Sequence, residues 1–353
     1  MSHGGDRYRN KVRLDFSVNT NPAGVLESVR QSLINSISKA EHYPDQEASA
    51  LRKDLAEALQ VREDMLLFGN GASEILTAAV RAAKPKNVLL PVPSFSGYQW
   101  ALRPEAPKIR YVEMEDDFQI TQKLIGELTE EMDMLFLTNP NNPTGRYIRH
   151  DLLEEILDIC REKKILVILD ECFMELSDDP EHNTCVPQIS RWPNLIILRA
   201  FTKSFAIPGV RLGYMICADT ALNEKIRQML PEWNLSVMAQ DAGVAALKEI
   251  GTLKEARAQI IKDRTYLKEQ LEEAGLQCTP SNAGFLLLKS PREDLYEKLL
   301  EKEILIRDCS DYQGLSKGYY RVAVFCRFDA FGLLYFSYVF CNSFICQKHK
   351  LFY

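Results

Sequence analysis

The chain contains no CxxC pair, no GxGxxG or P-loop stretch, no dense block of lysine and arginine, and no apolar run of clear membrane-spanning length. Each absence excludes something. Without a basic block, and at a net charge of −6, a nucleic-acid surface is not expected. The nine cysteines are scattered and odd in number, which reads as reduced thiols in a cytoplasm and excludes a disulfide framework or zinc ribbon. Only five histidines occur (His3, His42, His150, His182, His349), none at metal-ligand spacing, so no metal is expected. The opening "MSHGGDRYRNKVRLDF" lacks an apolar h-region, so no signal peptide is expected. The missing GxGxxG disfavours a nicotinamide dehydrogenase.

The 353 residues suffice for a large core and two domains. Apolar runs at 88–93, 134–140, 165–171, 195–201 and 213–218 read as buried strands, and "RHDLLEEILDICREKK" (149–164) as an intervening helix. Such alternation predicts an α/β fold with a mostly parallel sheet covered on both faces. Charged helices follow, and shorter strands at "GFLLLK" and "ILIRDC" suggest a smaller α+β domain. The expected division is 1–40 for an N-terminal arm and part of the small domain, 41–230 for the large domain, and 231–324 for the rest of the small domain. Residues 325–353 differ: ten aromatics and three cysteines with almost no acid. They read as an altered reading frame rather than a membrane anchor, and no function is placed there.

The chemistry-bearing residues sit where the apolar runs end. Lys203, in "RAFTKSFAIPGVRLGY", follows a buried strand, where desolvation would lower its pKa and make the amine a nucleophile toward aldehydes. Taken alone, a lysine at a strand end is usually just a solvated charge. Arg211 would return toward the same edge and suits a phosphate; a surface ion pair is the alternative. Asp170 closes "LVILD", where a carboxylate needs a cationic partner such as a protonated pyridine nitrogen, or else serves as a helix cap or local salt bridge. "FGNGASEIL" is a glycine-rich turn into a helix, whose N–H groups at Ala72 and Ser73 could bind phosphate, although many loops read this way. "TNPNNPTG" is a stiff turn presenting Asn142, or a plain connection. Phe95 is a ring for stacking or for core packing. Taken together, these parts match what pyridoxal phosphate needs.

With "NPNNPTG", "DE" at 170–171 and "TKSFAIPGVRLGY", the chain resembles the fold-type I pyridoxal-phosphate enzymes of the class I/II aminotransferase superfamily, from His3 to Val324. Within it the chain is similar to histidinol-phosphate aminotransferases and, through "HGG" at 3–5, "LDFSVNTNPAG", "ILIRDCSDYQGL" and "YYRVAV", more so to threonine-phosphate decarboxylases of cobalamin synthesis. The resemblance implies a large cofactor domain with a seven-stranded-type sheet sandwiched by helices, and a smaller α+β domain. It implies that Lys203 joins the cofactor aldehyde, Asp170 keeps the ring nitrogen protonated, Asn142 bonds the ring hydroxyl and Phe95 stacks on the ring. Ala72, Ser73, Thr202 and Arg211 would hold the phosphate. Tyr43 would reach the neighbouring subunit's cofactor, which implies a homodimer. Arg321 would bind the substrate carboxylate, and Arg307, His3 and Asn21 the rest of a small phosphorylated amino acid. Phe173 stands where many aminotransferases have a tyrosine that donates to the ring hydroxyl. Decarboxylation of L-threonine O-3-phosphate is therefore expected. The alternatives are a histidinol-phosphate-type transamination and a non-catalytic or damaged homologue.

Overall fold

The computed structural model describes residues 4–325; His3 and the aromatic tail from 326 onward lie outside the described residues. The strands are β1 (Leu14–Asp15), β2 (Leu66–Asn70), β3 (Asn87–Val92), β4 (Lys108–Glu113), β5 (Met134–Thr138), β6 (Leu166–Asp170), β7 (Leu195–Ala200), β8 (Leu212–Ile216), β9 (Gln277–Cys278), β10 (Phe285–Lys289), β11 (Ile304–Leu305), β12 (Arg307–Asp308) and β13 (Tyr319–Ala323).

Seven strands form one sheet in the order β2-β8-β7-β6-β5-β3-β4. β3 to β7 pair in parallel, and β8 runs antiparallel to both its neighbours, β7 and β2. The apolar runs fold into β3, β5, β6, β7 and β8. β2 and β4 complete the sheet. β2 is masked in the sequence by the glycine turn that follows it, and β4 ("KIRYVE") by the mixed polarity of an edge strand that is only partly buried.

Both faces are covered, so the central strands read as continuous apolar runs. Alternation still sorts their side chains: on β5, Leu135 and Leu137 enter one core and Met134 and Phe136 the other. The helix His150–Glu162 buries Leu152, Leu153, Ile156, Leu157 and Cys160, a 3-4 spacing that places one apolar stripe on the sheet. A second, antiparallel sheet has the order β12-β13-β10-β9 and its own core, including Phe16, Leu286, Leu288 and Val322. β1 pairs in parallel with β11, which ties the N-terminal arm to this second layer.

Because the parallel strands share a direction, their carboxyl ends share one edge. Asp170 pairs in register with Thr138 and Leu198, so the loops after β5, β6 and β7 open side by side. Crevices at such edges are where open α/β sheets bind ligands.

Candidate active site

A cavity of about 500 Å³ opens at that edge, between the carboxyl ends of the large sheet and the strands β12 and β13. Ten of the residues expected from the sequence line it: Ala72, Ser73, Phe95, Asn142, Asp170, Thr202, Lys203, Arg211, Arg307 and Arg321.

β7 ends at Ala200 and turns into the short helix Phe201–Ser204, which brings Lys203 to the cavity. It is the only lysine lining it among the described residues. Burial, then the cations Arg321 and Arg211, bring its pKa down to about 8 from the usual 10.5, while Cys172 and Asp170 oppose the shift. At pH 7.5 about a quarter of such amines are neutral, against about one in a thousand for an ordinary lysine. Covalent capture of pyridoxal phosphate by the cofactor-free protein, trapped with borohydride, should therefore rise with pH about a midpoint near 8. A midpoint near 10 would contradict this environment.

A helix N-terminus and Arg211 line the same cavity as the amine. β2 ends at Asn70, Gly71 turns the chain at φ 82°, and the helix Ala72–Ala83 starts with free N–H groups facing the cavity edge. Gly71 requires glycine for its positive φ, and Gly213 for close approach, since a Cβ there would meet the backbone nitrogen of Ala72. Arg211 itself is left-handed (φ 60°), with Nη1 donating to the Pro208 carbonyl at 2.9 Å. An arginine in that region is uncommon.

Asp170 accepts the Cys172 N–H and the Tyr98 hydroxyl, each at 2.9 Å. Asn142 is buried; its Oδ1 accepts from Arg321 Nη1 at 2.5 Å, which leaves its amide nitrogen as the free donor. Phe95 meets Tyr98 edge-on. Phe173 also lines the cavity and packs edge-on against Phe285, with the Lys203 amine 5.8 Å from its ring centre.

Arg307 and Arg321 face each other directly across β12 and β13. Like charges so placed repel unless an anion lies between or beside them. Asp311 neutralises Arg307 at 2.8 Å. Arg321 donates to Asn142 and to the Ser17 carbonyl at 3.0 Å, and its buried Nε makes no hydrogen bond among the described residues.

Two expected residues stand elsewhere, and a third is not among the described residues. Tyr43 is exposed, stacks on Trp233 (centroids 4.9 Å apart) and does not line this cavity. Asn21 is buried but turned away: its N–H donates to the Lys203 carbonyl, its Nδ2 to the Ser204 carbonyl and its Oδ1 accepts from Ala23 N–H, so it anchors the lysine turn to the N-terminal arm. His3 lies outside the described residues, although its neighbours Gly4 and Gly5 line the cavity. Sequence reasoning missed Asn19, two residues before Asn21. It lines the cavity at 5% exposure with neither amide atom paired among the described residues. A buried amide without partners is costly unless a ligand supplies them. Both asparagines sit in "SVNTNP", and nothing in that string says which one faces inward.

An amine of lowered pKa, a carboxylate, a helix N-terminus and an arginine on the carboxyl edge of a seven-stranded α/β sheet are the parts that a pyridoxal-phosphate-dependent enzyme uses. The chain belongs to the class I and II aminotransferases, whose family model matches residues 11–330. It is 35% identical over 316 residues to the threonine-phosphate decarboxylase of Salmonella typhimurium, covering 88% of this chain and 86% of that one. It is similar to the crystal structure of the histidinol-phosphate aminotransferase from Clostridium acetobutylicum, with TM-score 0.87, 29% identity, and coverage of 93% and 99%. The fold is also that of the Sinorhizobium meliloti histidinol-phosphate aminotransferase solved with pyridoxal-5'-phosphate, with TM-score 0.85, 20% identity, and coverage of 96% and 94%. The cofactor is pyridoxal phosphate, and the enzyme is a lyase or an aminotransferase. No described helix is long and apolar enough to cross a membrane.

Proposed function

We propose that the enzyme decarboxylates L-threonine O-3-phosphate, yielding carbon dioxide and a phosphorylated amino alcohol of the kind used in cobalamin side-chain synthesis. The observation that carries this reading is the cross-strand pair Arg307 and Arg321, which meets the same cavity as Lys203. Two guanidiniums suit a small substrate with a phosphate at one end and a carboxylate at the other. The 35% identity to a decarboxylase of that name supports the same choice.

The cavity's donors fit the cofactor. The N–H groups of Ala72 and Ser73, the hydroxyls of Ser73 and Thr202, and Arg211 would hold its phosphate. Asp170 would face its ring nitrogen, Asn142 Nδ2 its ring hydroxyl and Phe95 its ring face, and Lys203 would bond its aldehyde carbon. When bound, the cofactor supplies an electron sink for the pair released at Cα. The residues of the chain do the rest. Asp170 holds a negative charge against the ring nitrogen. Arg321 and Arg307 orient the substrate, each bidentate contact contributing ~1.5–3 kcal/mol, and that orientation selects the bond at Cα that breaks. In decarboxylation the bond from Cα to the carboxylate breaks, the electron pair stays at Cα, and a proton from Lys203 Nζ or water completes the product. Asn19 and the backbone at Gly4 and Gly5 would line the substrate's far side. Tyr43, exposed on this subunit, would reach the cavity of a second copy in a homodimer. We place the protein in the cytoplasm, consistent with six free cysteines among the described residues.

Histidinol-phosphate-type transamination is the second reading, favoured by the TM-score of 0.87 to such an enzyme. Cofactor-loaded protein is to be mixed with threonine phosphate, with and without 2-oxoglutarate. Release of CO2 without the keto acid is the expected result. Glutamate formation without CO2 would replace the decarboxylase by an aminotransferase, and no reaction with either threonine phosphate or histidinol phosphate would exclude both.

A further inference from the structure

Asp170 is gripped from behind the cavity by a residue that does not line it. Tyr98 lies in the short helix Gly97–Leu102, 72 positions away along the chain, and is fully buried. Its ring stacks on Phe136 (centroids 5.0 Å, interplanar angle 22°) and meets Phe95 edge-on (5.6 Å, 87°). Its hydroxyl lies 2.9 Å from Asp170 Oδ2 and 2.7 Å from Thr138 Oγ1, and Thr138 is itself buried.

The protons in this chain have one consistent order. Burial, then the Asp170 charge, push the Tyr98 phenol well above its usual 10, so it stays protonated at working pH. An ionised carboxylate can only accept. Tyr98 therefore spends its single proton on Asp170, and Thr138 must be the donor in the other contact. The series Thr138 to Tyr98 to Asp170 runs one way, in a dry interior where each bond strengthens the next.

We propose that Tyr98, backed by Thr138, is a positioning residue that fixes the Asp170 carboxylate in direction toward the cofactor's ring nitrogen. This rests on the proposed role of Asp170. A hydrogen bond to a carboxylate stabilises its charged form. Without the Tyr98 hydroxyl, Asp170 Oδ2 would lose its side-chain donor and the carboxylate would be less firmly held toward the ring nitrogen. A less firmly held carboxylate would support less positive charge on the bound cofactor's ring, and Lys203 would then hold its proton more tightly where it meets the cofactor. The charged and titratable groups around Asp170 are Tyr98, Cys172 and Lys203, and those around Lys203 are Arg321, Arg211, Cys172 and Asp170. Tyr98→Phe leaves all the others in place and keeps the ring packing.

The test uses cofactor-loaded wild type, Tyr98→Phe, Thr138→Val and Asp170→Asn. Two readouts are taken besides turnover: the dissociation constant of pyridoxal phosphate by equilibrium dialysis, and the pH midpoint of the bound cofactor's visible absorbance. Tyr98→Phe should bind about tenfold more weakly, the worth of one hydrogen bond to a charged group. Its midpoint should move up by about half a pH unit or more. Thr138→Val should shift both in the same direction by less, and it carries the test if Tyr98→Phe does not fold. Wild-type affinity and midpoint in the tyrosine and threonine variants, with both altered in Asp170→Asn, would overturn the relay and leave the Asp170 role standing. If Asp170→Asn alters neither, the role of Asp170 falls and the relay with it.

Discussion

Lys203→Ala is expected to abolish the borohydride-stable adduct with pyridoxal phosphate and to lower turnover by ~10³-fold or more, the scale of losing a nucleophile that also moves protons. The reason is geometric: no other described lysine lines the cavity. The variant should fold. The lysine's pKa is about 8 in the folded chain and near 10.5 when unfolded. Between those values the unfolded chain binds more protons, so this group's contribution to stability rises with pH across that window and is lost as pH falls toward 8. Below pH 8 the fold carries a poorly solvated ammonium, and alanine removes that cost. At pH 7 the cofactor-free variant should therefore melt no lower than wild type. Mass spectrometry of the reduced protein reads the adduct. An adduct retained in Lys203→Ala would move the anchor to another lysine and dismantle the site as drawn.

The second large effect is on stability. Arg199 points from β7 into the interior and is nearly inaccessible. Its Nη2 lies 2.7 Å from Glu171 Oε2 and 2.7 Å from Thr184 Oγ1, and Nη1 stands 3.8 Å from Glu175. Glu171 is fully buried and also accepts from Thr184 and from the Cys185 N–H. Burial, the largest single cause, would lower the arginine's pKa, yet Glu171 together with Tyr214 and Glu175 more than offsets it and the net shift is upward. Glu175 in turn accepts from Tyr214 and from Ser204, the residue after Lys203. Arg199→Met would leave Glu171 buried without its cation, at a cost of about 3–5 kcal/mol. The thermal midpoint should fall by roughly 4–7 °C. Because the pair is buried, added salt should change the loss little. Arg199→Met combined with Glu171→Met should recover most of it, since replacing both partners with apolar groups is often neutral. A single variant within about 1 kcal/mol of wild type would show that the pair is not coupled.

The strands bearing these residues were legible because burial on both faces leaves long apolar runs, and the motifs at their ends were legible because they are contiguous. β2 and β4 were not, one merging with its glycine turn and the other having an edge strand's mixed pattern. Seven of the candidate site residues gather at one cavity because parallel strands bring their carboxyl ends to one edge whatever the spacing between them; Arg211 reaches it from the start of the antiparallel β8, and Arg307 and Arg321 from the second sheet.

What the sequence determined by itself was local: an amine after β7, a carboxylate ending β6, a glycine turn into a helix, and the order in which they occur. The tertiary structure decided what depends on facing and on distant neighbours. It turned Asn19 into the cavity and Asn21 onto the backbone of the lysine turn. It set Arg307 opposite Arg321 through strand register. It left Tyr43 on the surface and brought Tyr98 to Asp170. The physical reason is that a side chain's chemistry is carried by its own residue and its near neighbours, whereas its direction is settled only when strands pair and cores close around it.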